Sequence, residues 1–499
     1  MEKEVLIVGA GPTGLALAIG LERHGVPFRL IEQHDGPGTT SRAMVVHART
    51  LEFYRQFGLA HRLVEAGIVE NAVHIYKDRM EVGTIPLGEM GTGISPYPYL
   101  LSLAQDVHES ILVEYLGSKG VRVEWQTKLM SFEEKEDHIE AEICSQGEAS
   151  HASFAYVCGC DGAHSTVRHQ LGLDFPGGTY SQMFFVADAE NTQPFKGMSA
   201  GFRGSEFNLA LNIRTTGTVR LIGVIPPHLI DPEPPAEFDP LIPHVESVLP
   251  VKVGRVNWYS PYKVHHRVAE SFRRGRTFIL GDAAHIHSPA GGQGMNTGIG
   301  DAFNLAWKLA LVMQGRMDRS ILDTYEPERI AFARKLVATT DRIFREAVNR
   351  KRFRNIIMPH VLPKLVQFSK VRRMLFKVIS QTRIRYPDSP LSEGKSGRIE
   401  AGDRLPWIRM EDGDNFEPLV SVDWQLHVYG HPNGEVKQLS DRSGIPLHHA
   451  RWTKGMKRKG IRKNAAYLIR PDGHVGVATT TGNVGRIEGY IKRFNLKME

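Results

Sequence analysis

The sequence predicts an α/β protein in three parts: a Rossmann-like nucleotide-binding domain, an antiparallel β-sheet inserted into it, and a small C-terminal domain. Three observations carry this. A strand, a glycine-rich turn and a helix open the chain at Val5. After Pro176 the pattern changes to two-residue alternation, and nucleotide-type sequence resumes at Thr277. The implied boundaries are 1–176 and 266–390 for the two parts of the nucleotide-binding domain, with a helical segment in the second. The inserted sheet spans 177–265 and the terminal domain 400–499.

Bulk properties narrow the class. A chain of 499 residues exceeds one ordinary core. The 41% hydrophobic and 23% charged fractions are those of a globular protein. No apolar run approaches the ~20 residues of a membrane helix. The opening MEKEVLIVGAG has acidic residues and a short apolar run before glycine, which reads as a first strand rather than a signal peptide. Cys144, Cys158 and Cys160 cannot form a disulfide framework and read as small buried hydrophobes in a cytoplasmic protein. The net charge of +7 lies in scattered stretches, at Lys351 to Arg354, Lys370 to Arg373 and Lys454 to Lys463, without aromatic interleaving. Such a surface attracts anionic cofactors and phenolates; neither nucleic acid nor membrane is an expected partner.

The elements follow in order. Val5 to Val8 is a buried strand, Leu15 to His24 an amphipathic helix stopped at Gly25, and Val26 to Glu32 the second strand. Helices are expected at Leu51 to Gly58 and Asp106 to Gly117, then a strand at Val121 to Thr127 and a hairpin over Ile139 to Val157. Strands at Met183 to Ala187, Phe207 to Ile213 and Val219 to Val224 build the inserted sheet. Thr277 to Leu280 is a strand and Asp301 to Met313 a long helix. Basic helical segments continue to about Gln381, the polar stretch Ser389 to Gly402 reads as a linker, and strands near Gln425 and Ala465 belong to the terminal domain.

Three motifs carry chemistry. Gly9, Gly11, Thr13 and Gly14 form a GxGxxG turn between strand and helix, where free N–H groups and the helix dipole favour a pyrophosphate. Glu32 ends the second strand, where a carboxylate accepts hydrogen bonds from a ribose diol. The second motif is CGCDGAHSTVR, Cys158 to Arg168. The third is Gly281, Asp282 and the following SPAGGQGMNTGIGD, whose Gly291, Gly292 and Gly294 lead into a helix. Backbone N–H groups are thus aimed at whatever ring lies there.

In this order the motifs resemble those of the single-component FAD-dependent aromatic hydroxylases, the para-hydroxybenzoate-hydroxylase-like flavoprotein monooxygenases. The resemblance covers about residues 1–400 and is closest in layout to members with an added thioredoxin-like C-terminal domain. It implies non-covalent FAD, NADPH or NADH as co-substrate, O₂, and hydroxylation of a phenolic or polycyclic aromatic molecule through a flavin C4a-hydroperoxide, by a monomer or homodimer. By the same resemblance Gly9, Gly11, Thr13, Gly14 and Glu32 bind the ADP half of FAD, and Arg42 and Gln105 approach the pyrophosphate. The backbone at Leu129 lies beside the adenine, and Asp161 serves both FAD and NAD(P)H. Asp282 holds ribityl or pyrophosphate groups, and Gly292, Gly294, Met295 and Asn296 line the isoalloxazine. The backbone carbonyl of Pro289 is placed to approach the reacting oxygen.

Plainer roles compete for several of these residues. Ser165 and Arg168 serve equally well to tie their loop to the sheet, and His285 and His287 lack metal-spaced partners and read as loop packing. Trp307 is expected in the core, and Ile356 to Ile379 as a cover for the nucleotide domain rather than a membrane contact. Phe184, Phe185, Phe207 and Trp258 are equally candidates for an aromatic pocket and for core. The cysteine-free terminal domain excludes disulfide exchange. Baeyer–Villiger oxygenation or epoxidation are the alternative reactions, and a non-catalytic redox sensor the remaining class.

Overall fold

The computed structural model describes residues 4–38, 43–203, 206–213, 217–230, 233–288, 291–349, 357, 361–480 and 483–498. At its centre is a five-stranded sheet in the order Arg273–Arg274, Thr277–Ile279, Tyr156–Gly159, Val5–Val8, Phe28–Ile31. All but the outermost pairing with Arg273–Arg274 are parallel. Val5–Val8 is buried along its whole length: helices Pro12–Arg23, Gln105–Ser118 and Gly294–Met313 pack together over the sheet, and Leu129, Ile139, Ala141 and Ile143 of a second, antiparallel sheet share its core. Two of these helices, Pro12–Arg23 and Gly294–Met313, cross so closely that a Cβ at Gly20 would stand 2.5 Å from that of Ala306.

The long helix starts at Gly294, ahead of the expected Asp301. Its glycines obscure it in sequence because helix propensity is poor there, yet close packing requires them. A Cβ on Gly298 would lie 2.3 Å from the Thr13 hydroxyl. The strand expected at Val121 to Thr127 is instead a single bridge, Ile31 to Glu124, followed by Gln126 at φ +52. The strand proper is Thr127–Glu134, first of an antiparallel three-stranded sheet with Ile139–Ser145 and Glu148–Phe154.

An eight-stranded sheet stands against this domain. Its order is His285–Ile286, Val253–Val268, Gly177–Asn191, Thr218–Val224, Glu206–Asn212, Ser199–Arg203, Ala72–Lys77, Met80–Pro86. One pairing is parallel, Ser199–Arg203 with Ala72–Lys77. The hairpin at 72–86 therefore completes the sheet from a distant stretch of chain. Its turn uses Asp78 and Arg79, both at positive φ, in place of the usual Asn-Gly signal. One face of the sheet buries Phe185, Ala187, Ala210 and Leu221 against Leu241, Val245 and Leu249. The other packs Ile75, Ala200 and Leu211 with Met44 and Ala48 of the first domain and with Phe376.

Phe376 is the buried residue of helix Ser369–Ile379, seated against Gly91, while Met374 and Val378 remain exposed. The cover expected from Ile356 to Ile379 thus rests on a narrow strip. Residues 350–356 and 358–360 lie outside the described part. Among the described residues no helix is long and apolar enough to cross a membrane.

The C-terminal sheet has six strands, ordered Ile399–Glu400, Glu393–Ser396, Val475–Thr480, Ala465–Ile469, Gln425–Tyr429, Leu447–Ala450. The stretch expected as a linker is part of it. Glu393–Ser396 pairs in parallel with Val475–Thr480, then doubles back at Gly397, φ +68. Short polar edge strands carry no apolar alternation, which is why 389–402 reads as a linker. Buried charges bolt this sheet to the nucleotide domain. Glu328 is gripped by Arg470 and by Lys308 at 2.8 Å, while Arg470 also pairs with Asp472. Trp307 stands edge-on to Trp424 across the same seam.

Candidate cofactor and active site

The glycine turn separates glycines the chain itself needs from one it does not. Gly9 sits at φ +102 with Cys160 O 2.6 Å from where a Cβ would be, and a Cβ on Gly14 would meet Gly9 O at 1.9 Å. A Cβ on Gly11 meets nothing within 4 Å. Gly11 caps helix Pro12–Arg23 with no side-chain hydrogen bond and no acidic residue in the first turn. The open space lies over unsatisfied, positively polarised N–H groups, the requirement of a pyrophosphate. Thr13 packs its hydroxyl between Gly281 and Gly298.

The Glu32 carboxylate accepts the N–H of Ala10 at 2.8 Å and that of His34 at 3.1 Å, so it stands directly behind the turn. Thr127 N–H reaches Glu32 O at 2.8 Å, which brings the strand carrying Leu129 alongside. The Leu129 side chain is buried in the core. Gln105 accepts the N–H of Ala43 at 3.1 Å and donates to Glu109, which in turn accepts the N–H of Gly38. The two hold Ala43 and Gly38, the described residues on either side of 39–42. Arg42 and Pro289 lie outside the described residues.

In the second motif the Asp161 carboxylate accepts the Ser165 hydroxyl at 2.6 Å and the Val167 N–H at 3.2 Å. Burial pushes its pKa up, with these bonds opposing. Arg168 is buried and donates to the carbonyls of Ala283 and Ala163. The loop-tying role is the one these contacts display, and the loop so tied is the one beneath Gly9.

Asp282 is exposed on the turn after strand Thr277–Ile279, which Gly281 enters at φ +58. Asp301 fixes that turn from below: its carboxylate accepts Gly281 N–H at 3.0 Å, His285 Nε2 at 2.7 Å and Arg329 Nε at 2.6 Å. Burial alone would raise the Asp301 pKa, but Arg329 and His285 outweigh it and hold the carboxyl below its usual range. His285 is thus occupied structurally. His287 bonds Ser288 O at 2.7 Å, and burial brings it down to about 4.

The Asn296 side chain makes four bonds. Its oxygen accepts His47 N–H and the Thr50 hydroxyl, both at 2.8 Å, and its amide donates to Val45 O and Gly292 O. Gly291 and Gly292 have φ of +81 and +60, a conformation open to glycine. Among the described residues the N–H groups of Gly292, Gln293, Gly294 and Met295 have no acceptor. Two contributors are absent from the sequence reading. His47 binds Gly291 O at 3.0 Å, and Gln381 donates to Thr297 Oγ1 at 2.9 Å from the end of helix Ser369–Ile379. A lone histidine and a lone glutamine carry no pattern to reveal them.

Strand parity sorts the aromatic candidates. Phe185 points to the far face and packs with Phe238 at 5.3 Å, as core. Phe184 lies on the near face with Tyr262, and Phe207 with Phe202. Trp258 is half-buried beneath the Arg220 guanidinium, itself paired to Asp188.

The open cradle at Gly11, the carboxylate behind it and the amides at Gly292 to Met295, without an acceptor among the described residues, fit an anionic dinucleotide. The profile of a family described as FAD binding domain matches residues 2–340. The chain is 37% identical over 407 residues to 6-methylpretetramide 4-monooxygenase of Streptomyces rimosus, covering 78% of this chain and 71% of that protein. It is 30% identical to rifampicin monooxygenase of Rhodococcus hoagii, over 95% and 94% of the two chains. The structure of OxyS anhydrotetracycline hydroxylase from Streptomyces rimosus superposes with a TM-score of 0.80 at 26% identity, covering 99% of each chain. The chain belongs to the FAD-binding-domain family and is an FAD-dependent monooxygenase of the aromatic hydroxylase type.

Proposed function

We propose that the chain hydroxylates a fused-ring phenolic compound held between the near face of the eight-stranded sheet and the glycine turn at 291–296. One observation carries this reading. Val45 touches Gly292, and its neighbours Met44 and Ala48 pack directly on the sheet face of Ile75, Ala200 and Leu211, with Tyr97 and Phe207 beside them. An apolar wall and a polar turn are thereby joined by the five residues Met44 to Ala48. The relative named for anhydrotetracycline supports a polycyclic ring system over a single ring.

Bound FAD supplies electron transfer from NADPH or NADH and activation of O₂. The residues supply the rest. Gly11 and the helix it caps would hold the pyrophosphate, Glu32 would accept from the ribose, and Gln105, which binds Ala43, would approach the pyrophosphate together with Arg42. The backbone at Leu129 would border the adenine, and Asp282 would hold ribityl or pyrophosphate groups. Gly292, Gly294, Met295 and Asn296 present backbone amides to the polar edge of the isoalloxazine. Asp161 serves by shaping its loop, since its carboxylate is already satisfied. Pro289 is assigned to the reacting oxygen by the family resemblance alone. The sheet wall excludes water from the reacting centre and orients the ring.

The units are 1–176 with 266–390, 177–265 joined by the 72–86 hairpin, and 400–499. The last reads as thioredoxin-like, supported by its strand order and its parallel first pair. The enzyme works in the cytoplasm as a monomer or homodimer. The test is NADPH consumption across a panel of mono- and polycyclic phenols. Stimulation by a polycyclic phenol with product heavier by one oxygen is expected; FAD uptake with no oxygen inserted across the panel defeats the reading.

A further inference from the structure

We propose that His47 is a positioning residue for the cofactor: it holds the Gly291 carbonyl inward and so turns the N–H groups of the glycine turn toward the flavin, raising its affinity for electrons. This rests on the reading above, that the turn faces the isoalloxazine.

His47 is fully buried and precedes helix Ala48–Gln56, which has no side-chain cap. Its Nε2 lies 3.0 Å from Gly291 O. A carbonyl oxygen only accepts, so Nε2 carries the proton. Burial brings the ring down to about 4, which leaves one proton at neutral pH and one tautomer. Nδ1 has no hydrogen-bond partner, so the ring's whole polar engagement is with the turn.

Asn296 completes the grip. It holds the next carbonyl, Gly292 O, at 2.9 Å while its own oxygen accepts the His47 N–H. Two successive carbonyls are therefore drawn to the protein side by two side chains bonded to each other's segment. In a trans peptide the following N–H points opposite to the carbonyl. The N–H groups of Gly292 and Gln293 must then point away from His47 and Asn296, next to the uncapped start of helix Gly294–Met313. Successive amides in such a turn form an anion-binding concavity. Reduced flavin carries negative charge over N1 and the C2 oxygen, whereas oxidised flavin is neutral. The concavity therefore favours the reduced form, and His47 holds half of it in place.

The test uses holoenzyme. His47→Leu should make the midpoint potential of bound FAD more negative by about 30 mV, a tenfold loss of preference for the two-electron-reduced form. His47→Gln, whose amide can donate to Gly291, should restore most of it. An unchanged potential in the Leu variant overturns the proposal, as does an equal shift in both variants. If the Leu variant does not retain FAD, the ¹⁵N-histidine NMR spectrum of the unaltered holoenzyme decides. A proton on Nε2 of His47, identified by the signal missing from His47→Gln, supports the proposal, and a proton on Nδ1 overturns it. Gly294→Val separates this from the underlying site reading. Its Cβ finds only His287 nearby, at 3.9 Å, so the apoprotein should keep its melting temperature while the FAD spectrum changes. An unchanged spectrum and FAD affinity would sink the site reading rather than the role of His47.

Discussion

Arg470 grips Glu328 through two N–H donors, at 2.7 and 2.9 Å, with both side chains fully buried at the seam between the C-terminal sheet and the nucleotide domain. Burial by itself would raise the Glu328 pKa, but Arg470 and then Lys308 outweigh it and hold the carboxyl far below its usual range. Lys308 is brought by burial down to about 8 despite Glu328. Removing one member leaves uncompensated charge in a dry seam. Arg470→Met should therefore destabilise the protein by about 3–5 kcal/mol, measured by urea denaturation. A loss below about 1 kcal/mol would mean that water reaches Glu328.

The glycines of the first turn should divide by experiment as they divide by geometry. Gly14→Val drives a Cβ into Gly9 O and should prevent folding, whereas the Cβ of Gly11→Val meets nothing within 4 Å. The Gly11 variant should keep the melting temperature of the apoprotein and lose at least tenfold in FAD affinity. Equal FAD affinity in that variant would show that the space over Gly11 is not the pyrophosphate site.

Stability should fall steeply with acid below pH 6.5. Burial lowers His47 and His108 from 6.5 to about 4 and His427 to about 3. For a base whose folded pKa is depressed, the unfolded chain binds more protons between the two values. Stability is then complete above 6.5 and declines as pH drops toward 4, by about 1.4 kcal/mol per pH unit for each histidine. Denaturation at pH 7, 6 and 5 measures it. A flat profile across that window would mean that these rings are already charged or solvated at neutral pH.

Helix Ser369–Ile379 carries Lys370, Arg373 and Lys377 along a hollow of about 470 Å³ that Arg383 also lines. None of the four has an acidic partner among the described residues. Burial and then Arg373 lower the Lys377 pKa. Lys377→Glu places a carboxylate one helical turn from Arg373 and should stabilise the protein by about 0.3–0.5 kcal/mol at low salt. The gain should fade as salt is added.

Much of the site is legible in sequence because local rules govern it. The turn at Gly9 to Gly14 follows from a strand, a helix and what fits between them, and Glu32 from the end of the next strand. The alternation of Phe207 to Ile213 and Val219 to Val224 reports a sheet with two buried faces. What sequence hides is assembled over distance. The 72–86 hairpin turns on Asp78 and Arg79, which carry no turn signature, and its partner strand lies far along the chain. Glu393–Ser396 takes its place from Val475–Thr480 and not from its own composition. His47 matters through a carbonyl that only the folded chain brings near.

The parallel pairing of His74 with Ser199 also governs how the protein is made. On the ribosome the 72–86 hairpin emerges long before the strand that must cover its edge. Until then it presents unpaired N–H and C=O groups to neighbouring chains. Expression should accordingly depend on holdase chaperones more than the folded stability suggests, and slowing synthesis between residues 86 and 199 should increase aggregation. The inserted sheet cannot be excised as one contiguous segment, because one of its edges was translated with the first domain.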